Sequence, residues 1–162
     1  MVVSKAAGRE ATERKPVEVF ALMAGVVFLV AGVLGFIPGV TTGYDALEFG
    51  GHHSGAMLFG VFQVSILHNL VHLAFGVAGL AAFATRAPAR AYLVLGGGIY
   101  LVLWLYGVAV SKATPGNFIP VNSADNWLHL GLGLGMIGLG VLATAIERGQ
   151  GTYPAPQDQG ER

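Results

Sequence analysis

The sequence predicts an all-α fold: an integral membrane four-helix bundle built from two similar helical hairpins in parallel repeat. Three observations lead there. Of the 162 residues, 54% are hydrophobic and 11% charged. A soluble domain carries about 25% charged residues, and the mean hydropathy here is +0.63. Four apolar runs, each long enough for the ~20 residues a membrane helix needs, are separated by connectors bearing Pro, Gly or Arg. A polar motif also occurs twice, at an offset of 57 (68 to 125, 72 to 129). Its first copy is His68-Asn69-Leu70-Val71-His72-Leu73 followed by Gly76. Its second is Asp125-Asn126-Trp127-Leu128-His129-Leu130 followed by Gly133.

Residues 1–15 mix Lys5, Arg9, Arg14 and Lys15 with Glu10 and Glu13, and are expected to form a cytoplasmic N-terminal tail. The apolar run that follows has no small-x-small cleavage site before its end, which favours a retained helix over a removed signal. Span one is expected over Val17 to Ile37, with Pro16 at its first position and Pro38-Gly39 stopping it. Residues 38–55 form the longest loop and hold no Lys or Arg. Tyr44, Leu47 and Phe49 suit a membrane interface. Asp45, Glu48, His52 and His53 are metal-ligand types, but a polar connector with turn glycines explains them more simply. Span two is expected from Ala56 to Thr85, long enough for its first turns to project from the bilayer. Arg86, Pro88 and Arg90 read as a tight turn. Span three is expected over Ala89 to Ser111. The connector from Lys112 to Val121 is broken by Pro115, Gly116 and Pro120.

Asn122 or Ser123 can cap span four, which is expected to run to Ile146. Gly131 and Gly135 make a G-x-x-x-G, a pattern that supports close helix crossing. The four-span domain thus covers residues 16–147. Residues 148–162 read as a disordered cytoplasmic C-terminal tail. Eight of the nine Lys and Arg residues fall in the two tails and the Arg86/Arg90 turn; Lys112 is the ninth. The excess of positive charge puts both termini in the cytoplasm, in a bacterial plasma membrane, and both polar motifs at the extracytoplasmic side.

The absence of Cys excludes disulfides, thiolate metal sites and thiol catalysis. A formal net charge of zero gives no footprint for nucleic acid; the lipid bilayer is the expected partner, with a homo-oligomer compatible. Each motif places a titratable pair at i and i+4 and a Gly at i+8, close to one helix face. Spans one and three are weakly alike, sharing Phe28 or Tyr100 and Gly35 or Gly107. Two like hairpins related by an axis along the membrane normal would bring His68, His72, Asp125 and His129 into one cluster, with Gly76 and Gly133 letting the motif helices approach near that axis.

Three readings of that cluster compete. In the structural one, His, Asn69 and Asn126 bond across helices and Asp125 complements the first turn of its helix. In the second, three imidazoles and a carboxylate hold a divalent transition metal ion, or two of the histidines hold a haem. The Glu of an H-E-x-x-H metallohydrolase is missing, because Asn69 follows His68. The third is a small transporter or proton relay, since imidazoles change charge near physiological pH. Broken helices, the mark of transporter substrate sites, are absent from spans two and four. A non-enzymatic membrane protein is the leading expectation.

Four stretches carry a resemblance. They are Phe36-Ile-Pro-Gly-Val-Thr-Thr, Tyr44-Asp-x-Leu-x-Phe, Phe62-Gln-Val-Ser-Ile-Leu-His-Asn-Leu-Val-His-Leu and Asn117-Phe-Ile-Pro-Val-Asn-Ser-Ala-Asp-Asn-Trp-Leu-His-Leu. Together they resemble a bacterial family of small four-span membrane proteins known as domain of unknown function 4383. The resemblance covers residues 17–146. It implies an integral membrane protein and assigns no catalytic role to any residue.

Overall fold

The computed structural model describes residues 14–110 and 115–151. Both tail readings fall largely outside them, as does Lys112. Four helices dominate: α1 (Pro16–Leu34), α2 (Ile66–Ala82), α3 (Arg86–Ala109) and α4 (Ser123–Gly149). α1, α3 and α4 are long and apolar enough to cross a membrane, and α2 is a shorter apolar helix. Most of each long apolar stretch faces outward, the reverse of a soluble helix, which turns its apolar stripe inward.

The α1–α2 loop is not a plain connector. It folds into three two-residue strands, β1 (Thr41–Thr42), β2 (Met57–Leu58) and β3 (Phe62–Gln63), with a 3-10 turn at Tyr44–Ala46. The strands pair antiparallel in the order β1-β2-β3. Ala56, Leu58 and Val64 are buried beneath them against Leu34, Val40, Leu47 and Phe62. The predicted second span, Ala56 to Thr85, is therefore corrected: its first ten residues belong to this cap, and α2 starts at Ile66. The chain breaks there for local reasons. Phe59 and Gly60 both take positive φ at the hairpin tip. Ser65 then caps α2, its hydroxyl accepting the His68 amide at 3.1 Å, as N-cap serines do. The loop carbonyls of Glu48 and Phe49 accept the next amides, those of Ile66 and Leu67, both at 2.9 Å. The predicted Arg86–Arg90 turn is also corrected. The turn is shorter and earlier, and Arg86 to Arg90 form the first turn and more of α3. Pro88 is tolerated there because first-turn amides have no intrahelical acceptor.

α1 packs chiefly on α2, and α3 chiefly on α4. Glycine makes both contacts. A Cβ on Gly25 would stand 3.0 Å from the Gly76 carbonyl oxygen, and one on Gly97 would stand 2.8 Å from that of Gly133. The backbones therefore meet with nothing between them. Gly76 and Gly133 do not bring α2 towards α4, as the sequence reading expected; they seat α2 on α1 and α4 on α3. The two pairs join through a core of Val17, Ala21 and Phe28 from α1, Ala89, Leu93 and Tyr100 from α3, and Met136 and Ala143 from α4. At the end away from the cap, Arg90 of α3 meets the fully buried Glu147 of α4 at 3.1 Å and Thr144 at 2.9 Å. The G-x-x-x-G residues Gly131 and Gly135 have no atom within 4 Å of a Cβ built on them. They make no helix crossing within the described residues.

Glycines inside and outside these contacts should differ on substitution. Gly133→Val is expected to cost about 1–3 kcal/mol through overpacking. Gly135→Ala should be neutral or stabilising by up to about 1 kcal/mol, since alanine suits a helix better. Reversible unfolding in mixed micelles measures both, and equal losses would contradict the backbone contact at Gly133.

Candidate functional site

The repeated motif converges at the capped end. His68, Asn69 and His72 of α2, and Asp125 and His129 of α4, are all buried. The imidazoles of His68 and His72 lie 4.5 Å apart between ring centroids, edge to face. His68 lies 6.0 Å from His129. Two aromatic rings from the other helices complete the group. Phe28 of α1 and Tyr100 of α3 stack at 5.1 Å. Phe28 touches His72 at 5.8 Å, and Tyr100 touches His129 at 5.4 Å. The result is a continuous run of rings, His72–Phe28–Tyr100–His129, with His68 alongside.

The polar atoms of the motif divide into two kinds. The Asp125 carboxylate serves its own backbone. Oδ2 accepts the amide of Asn122 at 2.7 Å and that of Gln63 in β3 at 3.1 Å. The Asn122 side chain returns a bond from the Asp125 amide at 2.9 Å, closing a reciprocal cap at the start of α4. One carboxylate thus caps α4 and ties the small sheet to it. Asn126 donates from Nδ2 to the Gly107 carbonyl at 2.8 Å. Asn69 sits against Gly35, its side chain filling the space where a Cβ on Gly35 would be, but neither of its polar side-chain atoms has a hydrogen-bond partner among the described residues.

The imidazoles share this lack of partners with Asn69. Among the described residues, Nδ1 of His68, His72 and His129 is buried with no hydrogen-bond partner, and so is the Tyr100 hydroxyl. The His68 ring lies near backbone groups of Pro120 and Gln63. Buried polar atoms without partners are costly in an apolar interior. Asp125 serves as a cap. Among the described residues, no group of three or more His, Cys, Asp or Glu side chains is arranged to hold a metal ion. His52 and His53 stack on each other at 3.9 Å in the cap loop, outside the buried group.

Sequence reasoning missed three contributors: the Gln63 amide, the Ser65 cap, and Phe28 with Tyr100 as the centre of the ring run. Ser65 was legible as an N-cap residue preceding an apolar run. Phe28 and Tyr100 are separated by 72, an offset shared by Gly25 and Gly97, Leu29 and Leu101, and Gly35 and Gly107. That pattern was present to be found.

The family model described as Domain of unknown function (DUF4383) matches residues 18–142. The chain belongs to this family. The match spans all four motif stretches and the three histidines, so the buried group lies within the family domain. No curated protein and no solved structure matches the chain.

The cap role of Asp125 predicts its mutational pattern. Asp125→Ala should cost about 1–3 kcal/mol, because two amides lose their acceptor. Asp125→Asn, which keeps one carbonyl oxygen, should cost less. Thermal unfolding of the purified variants measures the difference; a wild-type midpoint for Asp125→Ala would rule out the cap.

Proposed function

We propose that the protein is a four-span integral membrane protein with a structural or interaction role and no catalytic one. The observation that carries this is the use made of the polar motif: Asp125 and Asn126 are committed to backbone groups of β3, α3 and their own helix. Among the described residues, these bonds do not join a nucleophile to a general base in the pairing that acid–base and covalent chemistry require. In this reading both termini are cytoplasmic, and the small sheet caps the extracytoplasmic end.

The four spans are two like hairpins in parallel orientation. The ring run supports this, since Phe28–His72 is matched by Tyr100–His129 under the offsets 72 (28 to 100) and 57 (72 to 129). Two apolar grooves support it independently. One lies between α1 and α4, lined by Met23, Ala24, Val27, Gly131, Leu132 and Gly135. The other lies between α3 and α2, lined by Leu95, Gly96, Ile99, Ala74, Phe75 and Ala78. Met23, Ala24 and Val27 map to Leu95, Gly96 and Ile99 by adding 72, and Ala74, Phe75 and Ala78 to Gly131, Leu132 and Gly135 by adding 57; Phe28, Met136 and Leu139 in the first groove and Ala91 and Tyr92 in the second have no such counterpart.

Topology is testable because the chain has no Cys. In intact cells, His53→Cys and Gly116→Cys should react with a membrane-impermeant maleimide, and Arg148→Cys only after permeabilisation. Recovery of the protein in the soluble fraction after alkaline extraction, or labelling of His53→Cys and Gly116→Cys from opposite sides, would overturn the reading.

A second reading is favoured by the three unpaired Nδ1 atoms. His68, His72 and His129 supply the donors of a site for one divalent transition metal ion, a role neutral imidazole fills well. Loading it requires the rings to turn from their present packing. Elemental analysis and an absorption spectrum of the detergent-purified protein should then show near-stoichiometric metal, or haem, that is lost in the His72→Ala/His129→Ala variant. A metal-free, folded sample would leave the structural reading alone. Bound metal would also make the stability of wild type, and not of His129→Ala, depend on metal concentration.

A further inference from the structure

The small sheet covers the capped end, yet its most apolar side chains point away from the protein. Phe59 at the hairpin tip is 60% exposed and Val61 47%. Phe118, in the connector before α4, is 55% exposed, and Trp127, in the first turns of α4, is 72% exposed. Phe59 also holds φ at 54°, the left-handed region that an aromatic residue enters at a cost. Backbone bonds from Phe59 to Val40, Gly60 to Met57 and Val61 to Leu58 hold the tip in this shape.

The charged end of the molecule fixes a depth scale. Glu18 on α1, Arg90 on α3 and Glu147 on α4 lie at the end opposite the cap, and the Arg14 guanidinium sits 4.9 Å above the Phe83 ring just past α2. A hydrocarbon core of about 30 Å corresponds to about 20 helical residues at ~1.5 Å each. Counting from those charges, the far boundary falls near Pro38 on α1, Val110 on α3 and Trp127 on α4. On α2 the count fails, because the helix has 17 residues. These rise about 25 Å, and the remaining ~5 Å of the column is β3 and its hairpin. The sheet is held at that same level by α4: Asn122 donates to the Val61 carbonyl at 2.8 Å, and the Gln63 amide donates to Asp125 at 3.1 Å.

We infer that the β1–β3 cap is seated in the membrane interface, with Phe59, Val61, Phe118 and Trp127 forming a collar against the lipid. The cap completes the α2 column in place of the missing helical turns. Its seat is continuous with the outward apolar faces of α1, α3 and α4. Aromatic side chains settle at this level because their rings tolerate both phases. Irregular backbone is admissible at this depth where protein satisfies it; Ser54 does so, accepting Gln63 Nε2 on its carbonyl at 2.7 Å and donating to the Val64 carbonyl at 2.6 Å. Residues 38–65 contain no Lys or Arg, so the contact is apolar and not a cationic one with headgroups. The inference rests on the membrane-spanning reading.

Nitroxide labels at single cysteines test it in the full chain, reconstituted in phosphatidylcholine/phosphatidylglycerol vesicles. Phe59→Cys and Val61→Cys are the probes; two are used so that one poorly folded variant does not decide the result. Val102→Cys, on the outward face of α3, is the lipid control, and the exposed His53→Cys the water control. Collisional relaxation by oxygen against a water-soluble nickel chelate reads depth. The probes are expected to favour oxygen several-fold more than the His53 label, approaching the Val102 label. Probes that match His53 while Val102 favours oxygen would overturn the seated cap and leave the spanning reading standing. Probes shielded from both reagents would overturn it in favour of a second copy of the chain packed on the cap. A Val102 label that favours the nickel chelate would overturn the spanning reading, and the cap inference with it.

Discussion

Direct backbone contact between helices is the constraint on which the rest depends. Gly25 with Gly76, and Gly97 with Gly133, let two helices touch where any side chain would hold them apart. Tight seating of α2 on α1 brings Asn69 against Gly35, and that of α4 on α3 brings Asn126 within reach of the Gly107 carbonyl. These placements aim His72 and His129 at Phe28 and Tyr100. Among lipid chains the apolar effect gives helices little reason to associate, and close van der Waals packing takes its place. The polar motif and the glycines are thus parts of one device, and neither would be positioned without the other.

The buried group separates into members whose chemistry is spent and members whose chemistry is not. Asp125, one of the four candidate ligands in the sequence, is bonded to two backbone amides. The three histidines, which the sequence offered as packing groups, ligands or proton carriers, each keep a ring nitrogen without a partner among the described residues. The Phe28–Tyr100 stack lies between His72 and His129 in the ring run.

Much of the helical part was legible. The four helices follow from run length and punctuation: Pro16, Pro38-Gly39 and the polar cap before Ala124 each mark an end that lies within a few residues of the observed one. Asn122 was named as a cap and is one. The start of α2 was not legible from periodicity. Ala56 to Val64 is an apolar run too short to distinguish a buried strand from a helix. What decides it is tertiary: Ser54 and Ala56 receive the strand backbone, and Asp125 holds the Gln63 amide from 62 residues away. The G-x-x-x-G misled for the opposite reason. Gly131 and Gly135 were prominent as a pattern, whereas Gly133, named as the packing glycine of its motif, does pack, but on Gly97 of α3, a partner no local motif marks.

The pairing of α1 with α2 and of α3 with α4 has a consequence for biosynthesis. Each helix finds its principal partner in the next stretch of chain, across the cap loop or the connector before α4. The first pair can close, with its glycine contact complete, while α3 and α4 are still being made. The ring run, the shared core and the bonds that tie the small sheet to α4 await the second pair. Each pair can thus form its close contacts from neighbouring stretches of chain, and domain-wise folding of this kind limits the time that sticky surfaces stay open.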